Sequence, residues 1–179
     1  MKNKFLLLTW LLAVPLLWGG CETTTPTPEQ QLPGLTTTGE NTFGCLVNGE
    51  AWLPEGGNPF GPGSKLTSQF HRPTNRLTVS GTKDGEDILE GVGFDLILSG
   101  DHEFSRLNYA SFDDFYGRCE MWDTSHPIDT TTPYHFEIVS FSLEEKTASG
   151  TFSFTAVNTS CLDDTVVISE GRFDVKWAN

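Results

Sequence analysis

The feature that most constrains the fold is a two-residue alternation of apolar and polar side chains in short runs. Residues 77–80, 94–96, 139–143 and 173–177 all alternate in this way. A strand with one buried face has this period, whereas an amphipathic helix repeats every 3.6 residues. No window of helical length in the chain shows a clean 3.6-residue period. The sequence therefore predicts short strands from residue 41 onward.

Turn signals separate these runs. Asn48-Gly49 predicts a tight hairpin between strands at 43–47 and 51–53, and the Gly/Pro-rich residues 54–63 predict an irregular loop. About 8–10 short strands with regular turns indicate an all-β domain, an antiparallel β-sandwich. The alternative is a closed, lipocalin-like β-barrel, which the long irregular loop and the uneven strand lengths disfavour.

The first 20 residues have the layout of an export signal. Two lysines precede an apolar run at residues 5–18, which ends in Gly-Gly-Cys at Cys21. A membrane-spanning helix needs about 20 apolar residues, so this shorter run indicates a cleaved signal peptide. The ending resembles the lipobox of bacterial lipoproteins, in which the cysteine carries lipid. Trp18 departs from that pattern, because leucine is usual three places before the cysteine.

The chain is predicted to have three parts. Residues 1–20 are the signal peptide, residues 21–40 the lipidated Cys21 with a flexible Thr/Pro tether, and residues 41–179 a single β domain. The tether has almost no apolar side chains to offset its ordering entropy. Fully extended, residues 22–40 would reach about 60 Å at ~3.3 Å per residue. The expected location is the outer membrane, at its periplasmic face or at the cell surface.

The formal net charge of the chain is −13 at pH 7. A polyanion repels nucleic acid, so nucleic-acid binding is excluded from the expected functions. The expected partners are the membrane, reached through lipid on Cys21, and a glycan or another envelope protein. The sequence does not indicate an oligomeric state.

Three cysteines remain beyond the lipidation site, and an exported protein can form disulfides. Cys45 lies on the apolar side of a predicted strand, where a thiol behaves as a small hydrophobic group. Cys119 and Cys161 lie nearer to strand ends and turns, so the predicted bridge is Cys119–Cys161. Zinc binding is the alternative use of three thiols, but the chain has no C-x-x-C pair.

Motifs for catalysis or cofactor binding are missing from the sequence. The histidines form neither H-x-H nor H-E-x-x-H. Two combinations, Asp101 with His102 and His126 with Asp129, could meet in the fold, but closeness in sequence is weak evidence for catalysis. There is no G-x-S-x-G turn for a nucleophilic serine. Adjacent acids at 86–87, 113–114 and 163–164 have the oxygen ligands that Ca²⁺ prefers, but each pair stands alone. We therefore expect no enzyme activity, no metal and no cofactor.

Three stretches together resemble a known family. Residues 41–49 read NTFGCLVNG, residues 149–154 read SGTFSF and residues 171–175 read GRFDV. In this order, after a lipobox and a Thr/Pro-rich segment, they resemble a family of uncharacterised Bacteroidota lipoproteins grouped as a domain of unknown function. The resemblance covers residues 41–176 and implies an all-β exported domain. It brings no catalytic residues.

These motifs also have structural interpretations. Gly150 and Gly171 are expected to begin strands at turns, with the phenylalanines of the motifs in the core. Arg172 and Asp174 share the opposite face of their strand, where cross-strand salt bridges are expected.

Aromatic side chains in or beside predicted loops offer another route to function. Exposed rings there would stack on the faces of sugars, and the residues around them supply carboxylates. The alternative for each ring is packing in the core. The candidate ligand-binding residues are Trp52, Phe112, Asp113, Asp114, Tyr116 and Trp122.

Three functions follow in order of preference. The first is an outer-membrane or periplasmic lipoprotein with a non-enzymatic structural or interaction role. The second is a surface glycan-binding module that uses the loop aromatics, and the third is a weak calcium-dependent module or a hydrolase.

Overall fold

The computed structural model describes residues 25–56, 65–85, 89–115, 125–161 and 163–178. Strands dominate this part of the chain, and it contains no α-helix. The strands are β1 (Thr42–Val47), β2 (Glu50–Trp52), β3 (Leu66–His71), β4 (Arg76–Asp84), β5 (Leu89–Leu98), β6 (Phe104–Asp114), β7 (Ser125–Pro127), β8 (His135–Ser142), β9 (Thr147–Val157) and β10 (Thr165–Lys176).

These strands form two antiparallel five-stranded sheets. Sheet A has the order β2-β1-β10-β9-β8, and sheet B has the order β3-β4-β5-β6-β7. The two sheets pack face to face around a shared core and are not joined into a closed barrel. The predicted antiparallel β-sandwich is confirmed, and the barrel alternative is not.

The core between the sheets is largely aromatic. Phe94 lies at its centre, with the ring centroids of Phe43, Phe136, Phe152 and Phe173 at 5.0 to 6.3 Å from its own. All five side chains are buried. Tilted or edge-to-face rings at this spacing contribute about 0.5–1.5 kcal/mol per pair beyond their buried area. The phenylalanines therefore link strands of both sheets into one core.

The predicted hairpin turn is present between β1 and β2. Asn48 and Gly49 both have positive φ, at 51° and 85°, as a type I′ turn requires. This two-residue turn sets the register in which Cys45 pairs with Trp52. Both side chains are buried in the core.

Gly150 and Gly171 lie within β9 and β10 and do not begin strands as predicted. In the antiparallel register Gly150 pairs with Phe173, and Gly171 pairs with Phe152. A Cβ atom added to Gly171 would lie 2.6 Å from the ring of Phe152. Each glycine thus leaves room for the ring of the neighbouring strand. This reciprocal arrangement explains the Gly-x-Phe spacing that both motifs share.

The predicted alternation at residues 139–143 is wrong in its first position. Val139 is exposed, whereas the ring of Phe141 packs 5.3 Å from that of Trp177. The pairing of β8 with β9 shifts between Ile138 and Ser140. An extra residue in one strand of a pair changes the side to which the following residues point, and a sequence pattern does not reveal it.

Candidate functional site

Two of the predicted ligand-binding residues lie in the core. Trp52 and Phe112 are only 2% and 4% exposed, so neither ring can stack on a sugar. The indole N–H of Trp52 donates a 2.7 Å hydrogen bond to a carboxylate oxygen of Glu90. The prediction for these two residues is therefore wrong. Tyr116 and Trp122 lie outside the described residues.

A cleft of about 390 Å³ opens at one end of the sandwich. The described residues that line it include four carboxylates, from Glu90, Asp114, Asp163 and Asp164. Glu90 and Asp114 pair across β5 and β6 and continue the core-facing rows of those strands. The acidic pairs at 113–114 and 163–164 are 50 residues apart in the sequence, yet each supplies at least one carboxylate to this cleft. Asp113, by alternation, points to the other side of β6.

His126 lies in the wall of this acidic cleft and is buried. Its Nε2 atom is 3.0 Å from Oδ2 of Asp164, and its ring meets Phe112 edge to face, with centroids 5.7 Å apart. The buried Nδ1 atom has no hydrogen-bond partner among the described residues. Together these contacts fix the imidazole between the core and the cleft.

The predicted combination of His126 with Asp129 is replaced by His126 with Asp164. Asp129 instead accepts hydrogen bonds from the hydroxyl and the backbone N–H of Thr131, at 2.6 and 2.9 Å. These two bonds stabilise the charged form and hold the pKa of Asp129 below its ordinary value. The side chain of Asp129 therefore stabilises the turn at residues 129–131.

The positions of the side chains in the cleft do not provide a complete catalytic group. A carboxylate that orients an imidazole is one part of a catalytic triad, but catalysis also needs a nucleophile or substrate within reach of the base. In the described ranges no hydroxyl or thiol lies within hydrogen-bonding distance of the His126 ring nitrogens. Nor does this part of the chain hold a group of three or more His, Cys, Asp or Glu side chains arranged for a metal ion.

The cysteines occupy different environments. Cys45 is a free thiol, fully buried between the sheets, and burial raises its pKa well above the ordinary value. Cys161 is disulfide-bonded. Because Cys119 lies outside the described residues, the Cys119–Cys161 pairing stays a prediction. Cys21 lies outside them as well.

Two exposed aromatic rings of the described residues lie on the outer face of sheet B. Tyr109 in β6 and Phe115 just beyond its end are 45% and 51% exposed. Their even spacing of six residues places both on the outer face, about 20 Å apart at ~3.3 Å per residue. Between the two rings, β6 pairs with β5 at Gly91 and Gly93. Because glycine has no side chain, this part of β5 does not project above the sheet.

An ionic network around the buried carboxylate of Asp95 borders this face. The carboxylate of Asp95 accepts hydrogen bonds from Arg76 Nε at 2.8 Å, Thr78 Oγ1 at 2.9 Å and Asn108 Nδ2 at 3.1 Å. Asp95 pairs with Tyr109 in the register of β5 and β6. The network was not predicted from sequence, although the polar residues at alternate positions of β4 and β5 were a signal for it.

The described part of the predicted tether packs on the outer face of sheet A. A 3-10 helix, Pro28–Gln31, leads to the buried side chain of Leu32. Beyond it, residues 36–40 bond to the carboxylate of Asp174, which is 1% exposed. We call residues 28–40 the strap. The expectation of a flexible segment is wrong for the strap, because polar bonds hold it where apolar residues are few.

The predicted salt bridges of Arg172 and Asp174 are also replaced. Asp174 has no ion pair with a basic side chain among the described residues. The guanidinium of Arg172 lies 3.9 Å from Glu170 on its own strand and donates to the carbonyl of Pro33 at 3.3 Å. Both side chains thus contact the strap.

Two further findings bear on location and kinship. No helix in the described ranges is long and apolar enough to cross a membrane. No family model, no curated protein and no solved structure matches this chain.

Proposed function

We propose that this chain is an exported bacterial lipoprotein, anchored in the outer membrane through lipid on Cys21, whose β-sandwich has a non-enzymatic structural or interaction role. Supporting the export step are the basic start, the short apolar run and the Gly-Gly-Cys ending. The likeness of residues 41–176 to Bacteroidota lipoproteins supports the same proposal.

The observation that carries the non-enzymatic role is that most buried polar side chains bond to other groups of the fold, whereas several large apolar side chains are exposed. Most buried polar groups bond within the fold: Asp95 to Arg76, Asp174 to the strap and His126 to Asp164. Seven large apolar or aromatic side chains of the described residues are also exposed and so open to a partner. They are Leu35, Leu53, Tyr109, Phe115, Tyr134, Val139 and Val167.

The anchor is tested by replacing the lipidated cysteine. In the producing bacterium, wild-type protein is expected in the membrane fraction and in the detergent phase of Triton X-114. Cys21→Ser removes the acceptor thiol and is expected to move the protein to the soluble or aqueous fraction, because the buried acyl methylenes supply about 0.8 kcal/mol each. Cys45→Ser is the matched control and should stay with the membrane.

Two outcomes would contradict the proposal. One is equal detergent partitioning of the Cys21→Ser variant and the wild type, and the other is a purified native protein without the mass of attached lipid. Protease treatment of intact cells then assigns the face. Loss of the sandwich would place it on the surface, and survival until the outer membrane is opened would place it in the periplasm.

The exposed rings of sheet B favour a second function, glycan binding. The proposed platform is now Tyr109 and Phe115, because Trp52 and Phe112 are buried. Rings about 20 Å apart on a low sheet face fit an extended oligosaccharide chain better than a single sugar. Hydrogen-bonding groups between them include Asp113, whose carboxylate oxygen is 3.4 Å from the hydroxyl of Ser111.

This second function predicts a loss of binding with either ring. On a glycan array or by calorimetry, Tyr109→Ala and Phe115→Ala should each weaken binding about tenfold, or ~1.4 kcal/mol. Val167→Ala is the control, because Val167 is 47% exposed on sheet A. Equal binding by all three variants, or no glycan bound by the wild type, would remove sheet B as a binding face.

A further inference from the structure

We propose that Asp174 locks the strap to sheet A and thereby sets how far the sandwich stands from the membrane. The stand-off part of this inference rests on the proposed lipid anchor at Cys21. The locking part rests on the folded domain alone. The expected consequence is a short, fixed spacer where a long flexible tether was predicted.

Asp174 is a carboxylate surrounded by donors from the strap. Its Oδ2 atom accepts hydrogen bonds from the Thr36 hydroxyl at 2.7 Å and from the N–H groups of Thr38 and Glu40 at 3.1 Å each. Its Oδ1 atom accepts the N–H of Gly39 at 2.8 Å. Successive N–H groups that converge on one anion form a nest, and bonds to a charged acceptor are about twice as strong as neutral ones.

The local sequence permits this nest. Gly39 has φ of +77°, a conformation that glycine adopts without strain. Asn41 follows with φ of +56°, and its side-chain oxygen accepts the N–H of Lys176 at 3.0 Å. The chain therefore turns over Asp174 and returns to the sheet at β1.

A second contact holds the other end of the strap. Gly44 in β1 leaves space there, because a Cβ atom would lie 2.8 Å from Pro33 and 2.7 Å from Leu53. Arg172 adds its hydrogen bond to the carbonyl of Pro33. Leu32 is the one large apolar side chain that the strap buries, so its docking depends mainly on polar bonds, and on Asp174 most of all.

Docking changes the reach of the anchor. With the strap in place, the chain from Cys21 to the 3-10 helix at Pro28 can span at most about 25 Å. Without it, residues 22–40 could extend to roughly 60 Å. Asp174 thus holds the domain within less than half of the distance that the same chain could otherwise cover.

Hydrogen exchange of the full-length mature protein tests the lock. In the wild type, the amides of Thr38, Gly39 and Glu40 should exchange roughly 100-fold or more slowly than in an unstructured peptide. Asp174→Asn removes the charge and one acceptor oxygen, and should speed their exchange by roughly tenfold or more. Asp101→Asn, which removes an exposed charge in a turn, should leave it unchanged. Unprotected amides in the wild type would overturn the proposal without any variant.

Energy transfer to a vesicle surface tests the reach. The lipidated protein, labelled through Ser105→Cys, is bound to phosphatidylcholine vesicles that carry an acceptor dye in the headgroup layer. Asp174→Asn should lower transfer at least twofold, because the mean distance increases. Unchanged transfer in a variant whose strap amides are released would overturn the stand-off role. Failure of the wild type to bind vesicles would contradict the lipid anchor, while hydrogen exchange still decides the lock.

Discussion

Replacing Phe94 by alanine is expected to lower the free energy of unfolding by about 3–5 kcal/mol, the cost of a large cavity in a packed core. Phe94, in sheet B, is the ring that four phenylalanines of sheet A surround. The loss combines the transfer free energy of the ring, the cavity left behind and the broken ring contacts. A domain of this size typically has only about 5–15 kcal/mol in total, so the variant would be close to unfolding at 37 °C.

Urea denaturation followed by tryptophan fluorescence measures this effect. Phe115→Ala removes an equally large but half-exposed ring and is expected to change the free energy of unfolding by less than about 0.5 kcal/mol. Equal losses in the two variants would mean that the core is not centred on Phe94.

The Gly150→Ala variant is expected to be destabilised by about 3 kcal/mol, at the upper end of the usual range for overpacking. The added methyl group would collide with the backbone carbonyl of Glu137 and lie 2.8 Å from the ring of Phe173. The carbonyl belongs to the paired strand β8 and cannot move without opening the sheet. The ring cannot move without disturbing the aromatic core.

Gly93→Ala is the matched control for this prediction. Gly93 also lies within a strand, but a Cβ atom there would meet its nearest neighbour, the Ser80 hydroxyl, at an ordinary 3.4 Å. We expect little change or a gain of about 0.4–1 kcal/mol from the less flexible unfolded chain. If thermal denaturation gave the same loss of stability for both variants, the cause would be the general effect of replacing a glycine within a strand. The pairing of Gly150 with Phe173 would then not explain the loss.

The sandwich was predictable because its signals are local. Alternation at 173–177 requires no knowledge of the partner strand, and Phe173, Val175 and Trp177 are all buried as that pattern indicates. Asn48-Gly49 specified its own turn for the same reason. The burial of Trp52 was also within reach, since a two-residue turn at 48–49 places Trp52 opposite Cys45 on the core side.

The candidate sites were less predictable because their members are distant in sequence. His126 and Asp164 are 38 residues apart, and the strap meets Asp174 across more than 130 residues. Composition argued that residues 22–40 could not fold by themselves, and in isolation that argument holds. It fails for the strap because the carboxylate of Asp174, in β10, supplies acceptors that the segment itself lacks.

The buried carboxylate of Asp174 decides where a recombinant form of this domain must start. The strand pattern suggests an expression boundary at Asn41, yet such a protein would lose all four donors that the strap gives to Asp174. It would leave a bare charge and the space above Gly44 open on sheet A. A boundary at Thr27 keeps the strap and omits only the signal and the residues nearest the lipid. Crystallisation and binding assays should therefore use the longer form.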